Sequence, residues 1–592
     1  MTELTWQGKY NKDGKKNAPL RIALPFQTIE TVNESAQERQ QNFDLFAQGK
    51  PTEWRNRLIW GDKKYVLPAL LPEFAGKINL IYIDPPFDTG ADFSFTAKIP
   101  PHNPTESATA FVKQPSLIEQ KAYRDTWGKG LDSYLQWFYE TALLLRELLA
   151  EDGSIYVHLD WHVGHYVKCV LDDVFGYESF LNEVVWFYKT GGASKDKWAR
   201  KHDNIFFYAK KEGTQLFNLQ TEKSYMMHNY GFKKSDFKID KETGLQYSMV
   251  YCRDVWEIPS VGSATSERVD YATQKPETLL ERIIKASSNK GDLILDCFCG
   301  SGTTAAVAEK LERRWIACDL GRFAIHTTRK RLLSNPDVKP FIVQNLGKYE
   351  RQHWMNSEFT NPQNRLTQEK NYRQFILNLY HADKIDGYTW LHGIKKGRMV
   401  HIGSVDAPVA LGDVKNTVQE LWKKGGKNGL DILGWEFAFE LNETAKQLAV
   451  ENKVDLKFKK IPREVLDKRA VDQGDISFFE LAALDVSAQV NKKHQRLTLT
   501  LNNFIVLPDD IPKDVMQAIS HWSQWIDYWA VDFNYHDDTF HNEWQSYRTK
   551  KKPEIGLSVA HYYQEKGSYT VVVKVIDILG NDTTKLLEII VQ

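Results

Sequence analysis

With 592 residues, 42% of them hydrophobic, the chain exceeds what one core supports, so two or three domains are expected. Its 77 Lys and Arg balance 77 Asp and Glu, which excludes a protein that coats nucleic acid by bulk charge and leaves room only for a local basic face. Five cysteines (Cys169, Cys252, Cys297, Cys299 and Cys318) are too few for a disulfide framework. The start is polar and Lys-rich, and no stretch reaches the roughly 18 apolar residues of a membrane span, so a soluble cytoplasmic protein with no membrane partner is expected. Eighteen Trp and 26 Tyr suit base-stacking surfaces and well-filled cores alike.

Residues 1–50 read as an N-terminal extension. Over 51–345, short β-rich apolar runs alternate with longer helical ones, the pattern of an α/β, doubly wound, mostly parallel sheet. Strands are predicted at 57–60, 78–84, 154–159, 293–298, 315–319 and 341–343; several are apolar on both faces and so interior. A helix is predicted over 133–149, where Leu135, Phe138, Ala142, Leu145 and Leu149 form one stripe. From 189 to 270 the alternation weakens around Gly191-Gly192, many lysines and scattered aromatics, as if a recognition lobe were inserted. An accessory α/β domain spans 346–475, in which a polar connector at 361–365 leads to strands at 399–404, 430–437 and 454–461 and helices at 411–424 and 442–451. Residues 476–592 turn to short alternating runs such as 496–501 and 568–576, with turn signals at Lys566-Gly567 and Gly580-Asn581-Asp582; these predict an antiparallel β-sandwich.

The apolar run beginning at Ile78 ends in Asp84-Pro85-Pro86-Phe87. Two successive prolines cannot continue a central strand; they fix a rigid turn at its carboxyl end, where open α/β sheets place ligands. That turn presents a carboxylate, the Pro85 carbonyl and the face of Phe87 together. Two acceptors match the two N–H bonds of an exocyclic amino group, and an aromatic ring matches a base removed from the duplex. Alone, the tetrapeptide reads equally as a plain strand-ending turn, since Asp-Pro is a common turn dipeptide.

Residues 291–304 make a second strand, a Gly-rich turn and a helix beginning near Thr303. Gly300 and Gly302 let backbone approach a ligand, and the helix N-terminus favours a negative group such as a carboxylate. The dinucleotide fingerprint needs a third glycine where position 305 is Ala, and no Gly-Lys-Ser/Thr follows for a P-loop. The next strand ends in Asp319, placed by Rossmann logic for ribose hydroxyls. The set fits a nucleoside cofactor without pyrophosphate; the alternative is a tight turn with no ligand.

Asp84-Pro85-Pro86-Phe87 together with Asp296-x-Phe298-x-Gly300-x-Gly302 resembles the catalytic and cofactor motifs of amino-group DNA methyltransferases. With the catalytic motif first, the order is similar to their permuted β group. Asn56-Arg57-Leu58-Ile59-Trp60-Gly61-Asp62 resembles the family's strand before the catalytic one, Lys201-His202-Asp203-Asn204-Ile205 the segment before its target-recognition region, and Thr273-Gln274-Lys275-Pro276-Glu277 its cofactor-flanking motif. The resemblance covers about residues 50–345 and is greatest to modification subunits of type III and type III-like restriction systems. It implies S-adenosylmethionine over a turn of Phe298, Cys299, Gly300, Gly302 and Thr303, with Asp319 on its ribose, Asp296 toward its amino acid moiety, Lys275 and Pro276 closing the pocket and Asp62 near its adenine. The implied reaction is methylation at N6 of a flipped adenine in double-stranded DNA. Asp84 and the Pro85 carbonyl would accept the amino hydrogens while Phe87 stacks on the base. Cytosine N4 is the alternative, disfavoured by Asp rather than Ser at position 84; a non-catalytic DNA-binding specificity subunit with a methylase fold is the alternative of another class.

Within 189–270, Lys189, Lys195, Lys197, Arg200 and Lys201 suit DNA phosphates, and equally suit a solvated face. Tyr123-Arg124-Asp125-Thr126-Trp127 is a candidate lining of the base pocket, with core packing as its alternative. No metal site is expected: Cys297 and Cys299 have no further ligands nearby, and His536, His541 and His561 with Asp537 and Asp538 lack ligand spacing. No Pro-Cys pair supplies a cytosine-C5 nucleophile. Nothing after 346 forms a catalytic constellation; by family analogy that half would dock a restriction or helicase subunit or mediate a homodimer.

Overall fold

The structure, a computed structural model, describes residues 3–592 apart from 36–37, 42–43, 45–52, 88–94, 102–108, 114–129, 189, 191–193, 226–235, 263–264, 360–364, 424–428, 439–440, 442–452, 474–475, 507–510, 512, 537–538 and 551. An eleven-stranded sheet organises it. In chain order its strands are β1 (Gln27–Val32), β2 (Asn56–Trp60), β3 (Ile78–Ile83), β4 (Leu149–Leu159), β5 (Phe180–Phe187), β6 (His202–Ala209), β7 (Val255–Glu257), β8 (Leu293–Asp296), β9 (Arg314–Asp319), β10 (Phe341–Asn345) and β11 (Phe540–Asn542). In space they run β7-β5-β6-β4-β3-β8-β9-β2-β10-β1-β11. The contiguous six β4, β3, β8, β9, β2 and β10 are mutually parallel, so the mostly parallel sheet expected from the apolar runs is present.

Strand pleating divides the core in two. Ile81 and Ile83 point to one face, where α1 (Lys63–Phe74), α2 (Leu131–Leu148) and α3 (Gly164–Phe175) supply Leu67, Leu145 and Val167. Leu80 and Tyr82 point to the other, under α4 (Glu277–Ser287), α5 (Thr303–Lys310) and α6 (Arg322–Leu333), which supply Ile283, Val307 and Ile325. Each such aliphatic side chain contributes about 1.5–3 kcal/mol when fully buried. The predicted stripe is the buried face of α2, except that Leu149 already opens β4.

Several boundaries differ from the expectations. Residues 1–50 are not all extension, because β1 pairs antiparallel with β10. Its Glu30 is fully buried, a position only an ion-paired carboxylate can hold, and this polar residue disguises the strand. Residues 189–270 are not one inserted lobe: β6 pairs with both β4 and β5, and β7 extends the same edge. Among the described residues of this range, Thr221–Ser224, Lys238–Ile239 and Gln246–Tyr251 form a separate three-stranded antiparallel sheet. Finally, β11 comes from the C-terminal region and pairs parallel with β1.

After helices Gly347–Glu358 and Arg365–Tyr380, a six-stranded sheet runs through to Phe479–Glu480, past the predicted limit of 475. Arg398–Ile402, Leu430–Gly434 and Leu456–Lys460 are parallel at its centre; the helix predicted at 442–451 lies outside the described residues. The remainder packs a three-stranded antiparallel sheet (Ala483–Asn491, Arg496–Ile505 and Ser558–Tyr562) against a four-stranded one (Ile526–Asp532, Trp544–Tyr547, Gly567–Asp577 and Asp582–Val591) around Leu499, Val531 and Val573. This unit is fastened to the main sheet by buried ions: Glu30 Oε2 accepts from Arg329 at 2.9 Å and Lys574 at 2.6 Å. Among the described residues, no helix is long and apolar enough to cross a membrane.

Candidate active site

Strand order brings distant motifs together. β3 lies beside β8, with Leu80 opposite Ile294 and Ile81 opposite Leu295. β9 flanks β8 on its other side, and β2 follows, with Asp319 opposite Trp60. The carboxyl ends of four adjacent parallel strands thus carry Asp84, Asp296, Asp319 and Asp62 along one edge, at a cleft of about 1100 Å³ including its open mouth. Edges of this kind are where open α/β sheets bind ligands.

At one end of the cleft, Asp84 Oδ2 accepts from Lys275 Nζ, while Oδ1 is buried with no hydrogen-bond partner. Tyr134 donates to the Pro86 carbonyl at 2.8 Å, which ties the double-proline turn to α2. Phe87 stacks on the fully buried His158 ring, centroids 6.0 Å apart. His158 is held from both sides: Nδ1 to the Tyr82 hydroxyl at 2.8 Å, and Nε2 to Asp203 at 3.1 Å, whose other oxygen accepts from Tyr188 at 3.2 Å. Burial acts to raise the Asp203 carboxyl, but the His158 hydrogen bond, with Lys275 nearby, holds it below its usual value. A hydrogen-bonded imidazole therefore backs the aromatic ring with fixed orientation.

At the other end, Asp296 accepts from the Phe298 N–H at 2.9 Å and the Thr304 hydroxyl at 2.6 Å. Burial, with Asp84 and Asp319 nearby, nevertheless pushes its carboxyl up to about 7, because carboxylates crowded out of water resist ionising together. Asp319 accepts one backbone N–H on each oxygen, from Gly300 at 2.9 Å and Gly321 at 2.8 Å. Asp62 caps α1, accepting from Lys64 N at 2.9 Å. Lys63, the next residue, lies 3.7 Å above the Trp137 ring and 5.3 Å from that of Phe298.

Of the residues singled out in the sequence, Asp62, Asp84, Pro85, Pro86, Phe87, Lys275, Asp296, Phe298, Cys299, Gly300, Thr303 and Asp319 line the cleft. Gly302 and Pro276 are not among its lining. Gly302 has φ +72° and a Cβ there would meet Thr328 at 2.6 Å, so it packs α5 against α6; Pro276 caps α4. The Thr303 hydroxyl is taken up by the Lys275 carbonyl and Arg331. Lys275 itself is on the Asp84 carboxylate rather than only at the cleft wall. Burial pushes the Cys297 and Cys299 thiols far up, leaving them protonated and unreactive. Lys195, Lys197, Arg200 and Lys201 lie together in the β5–β6 connection; Lys189, Asp537, Asp538 and the stretch 123–127 lie outside the described residues. Lys63, Trp137, His158 and Tyr82 were missed. The available signal was a buried polar residue at the end of an apolar strand, as at His158.

Residues 78–330 match the family model described as DNA methylase, of the N6/N4 type. The type II methyltransferase M1.MboII of Moraxella bovis is 34% identical over 226 residues, which cover 36% of this chain and 85% of that protein. The chain belongs to the N6/N4 DNA methylase family. Among other methylases, the type II methyltransferase M.EcaI of Enterobacter cloacae is 28% identical over 335 residues, 47% of this chain and 69% of that one. The type III restriction-modification enzyme EcoP15I Mod subunit of Escherichia coli is 28% identical over 205 residues, 34% of this chain and 30% of that one.

Proposed function

We propose that the protein transfers a methyl group from S-adenosylmethionine to N6 of an adenine flipped out of double-stranded DNA, as the modification component of a restriction or defence system. The observation that carries this reading is the pairing, in one cleft, of the buried, unpartnered Asp84 Oδ1 with the Phe87 ring. A buried acceptor left empty costs roughly 1–3 kcal/mol, and an amino hydrogen of a bound base removes that cost.

The donor set at the far end of the cleft fits the cofactor. Asp319, at a strand end on the cleft wall, is a carboxylate suited in type and place to ribose hydroxyls, and Asp296 is a carboxyl that a cationic ammonium would help to ionise. Phe298 offers an apolar face. When bound, S-adenosylmethionine supplies an electrophilic methyl carbon on a sulfonium. Asp84 Oδ1 and the Pro85 carbonyl accept the two amino hydrogens, favouring a pyramidal nitrogen with its lone pair available, while Phe87, backed by His158, holds the base by stacking. No covalent enzyme intermediate is needed.

The test is incubation with labelled cofactor and genomic DNA, followed by nucleoside digestion. Labelled N6-methyladenine is expected, and Asp84→Ala should abolish it with cofactor affinity little changed. N4-methylcytosine would replace the base assignment, and an active Asp84→Ala variant would overturn the site.

A further inference from the structure

The connection between β5 and β6 leaves the sheet at a fixed place. Ile83 is opposite Val157, Leu159 opposite Asn204, and Phe187 opposite His202, so the chain leaves the sheet after Phe187 and re-enters it at His202 on the same edge that carries Asp84. On this connection Trp198 is 95% exposed, a large apolar ring held in water where most tryptophans bury their area. Its neighbours are Lys195, Lys197, Arg200 and Lys201, against a single acid, Asp196. The connection has a stacked root: the Arg200 guanidinium lies 3.4 Å from the Trp161 ring centroid, and that ring lies 3.7 Å from His162. Trp161 closely follows His158, the residue behind Phe87.

We propose that Trp198 is a wedge that stacks into the duplex where the target base leaves it, with Lys195 and Lys197 on the flanking phosphates and the Arg200–Trp161 stack as its root. This rests on the base-flipping methylation reading above. Removing a base from a duplex breaks its stacking on both sides, and an aromatic ring inserted in its place restores part of it. The surrounding cations select a phosphate-bearing partner, since a second copy of this chain would bring the same positive charge to the contact.

The test uses the full chain and a duplex carrying the site located by sequencing DNA that the protein has methylated, with the target adenine either paired to thymine or opposite an abasic position. Trp198→Ala should slow single-turnover methylation of the paired duplex roughly ten- to hundredfold, the worth of one lost base–aromatic stack. On the abasic duplex, where the base is already loose, the loss should shrink to about threefold or less, and Trp198→Phe should retain most of the rate on both. Wild-type rates for Trp198→Ala on the paired duplex, or equal losses on the two duplexes, would overturn the wedge. A changed sedimentation coefficient for Trp198→Ala would also overturn it, in favour of a contact between copies. A wild-type protein that methylates no genomic DNA would overturn the methylation reading and the wedge with it.

Discussion

Lys275 donates to Oδ2 of Asp84 and leaves Oδ1 buried without a partner. The lysine comes from the segment entering α4 and the acid from the end of β3, so one charged contact between distant parts of the chain orients the carboxylate in the cleft. An ammonium–carboxylate hydrogen bond is roughly twice as strong as a neutral one, which suits it to hold the second oxygen toward an incoming amino group.

Lys275→Met should therefore lower the single-turnover rate by roughly 100-fold, the scale of losing one aligned electrostatic contact. Affinity for S-adenosylmethionine should change far less, and Lys275→Arg should recover part of the rate. Rapid-quench kinetics with isothermal titration would separate the two effects; a large affinity loss at an unchanged rate would return Lys275 to the cofactor wall alone.

The Asp296 carboxyl is raised to about 7 in the folded protein from an ordinary value of 3.8. Between those values the folded chain holds a proton that the unfolded chain releases, so this group's contribution to stability is full below pH 3.8 and is lost as pH rises through 7. Asp296→Asn should flatten that part of the decline in melting temperature between pH 4 and 7. Affinity for the cationic cofactor should rise in the wild type from pH 6 to 7.5 as the carboxyl ionises, and Asp296→Asn should remove that rise in isothermal titration.

Gly302→Ala would place a methyl 2.6 Å from Thr328 at a backbone φ of +72°. Left-handed strain and overpacking each cost about 1–3 kcal/mol. Chemical denaturation should show a loss of that order, and cofactor affinity should fall as the 298–303 turn is displaced.

Glu30→Ala would leave Arg329 and Lys574 buried without their shared carboxylate. Breaking a buried ionic cluster from one side costs about 3–5 kcal/mol. Urea unfolding should show that loss, or an earlier separate transition for the C-terminal sandwich, which Lys574 ties to the sheet.

The central sheet was legible because its strands are short apolar runs ended by residues that forbid continuation. Ile78 to Ile83 stops at two prolines, and Leu293 to Asp296 stops at a glycine-rich turn. β1 was not legible: its buried Glu30 breaks the alternation, and only Arg329 and Lys574, hundreds of positions away, make that burial tolerable. β6 was hidden for a related reason, since its antiparallel pairing with β4 leaves no crossover helix to announce it.

Residue type and spacing by themselves determined the turn chemistry at 84–87 and 298–303 and the parallel pattern of the strands that carry it, because proline, glycine and apolar periodicity act locally. Tertiary structure alone decided which groups meet: Lys275 on Asp84, His158 behind Phe87, and Arg200 on Trp161. Those contacts depend on strand order and register, and hydrogen bonds and burial between residues far apart in the chain leave no periodic mark on the sequence.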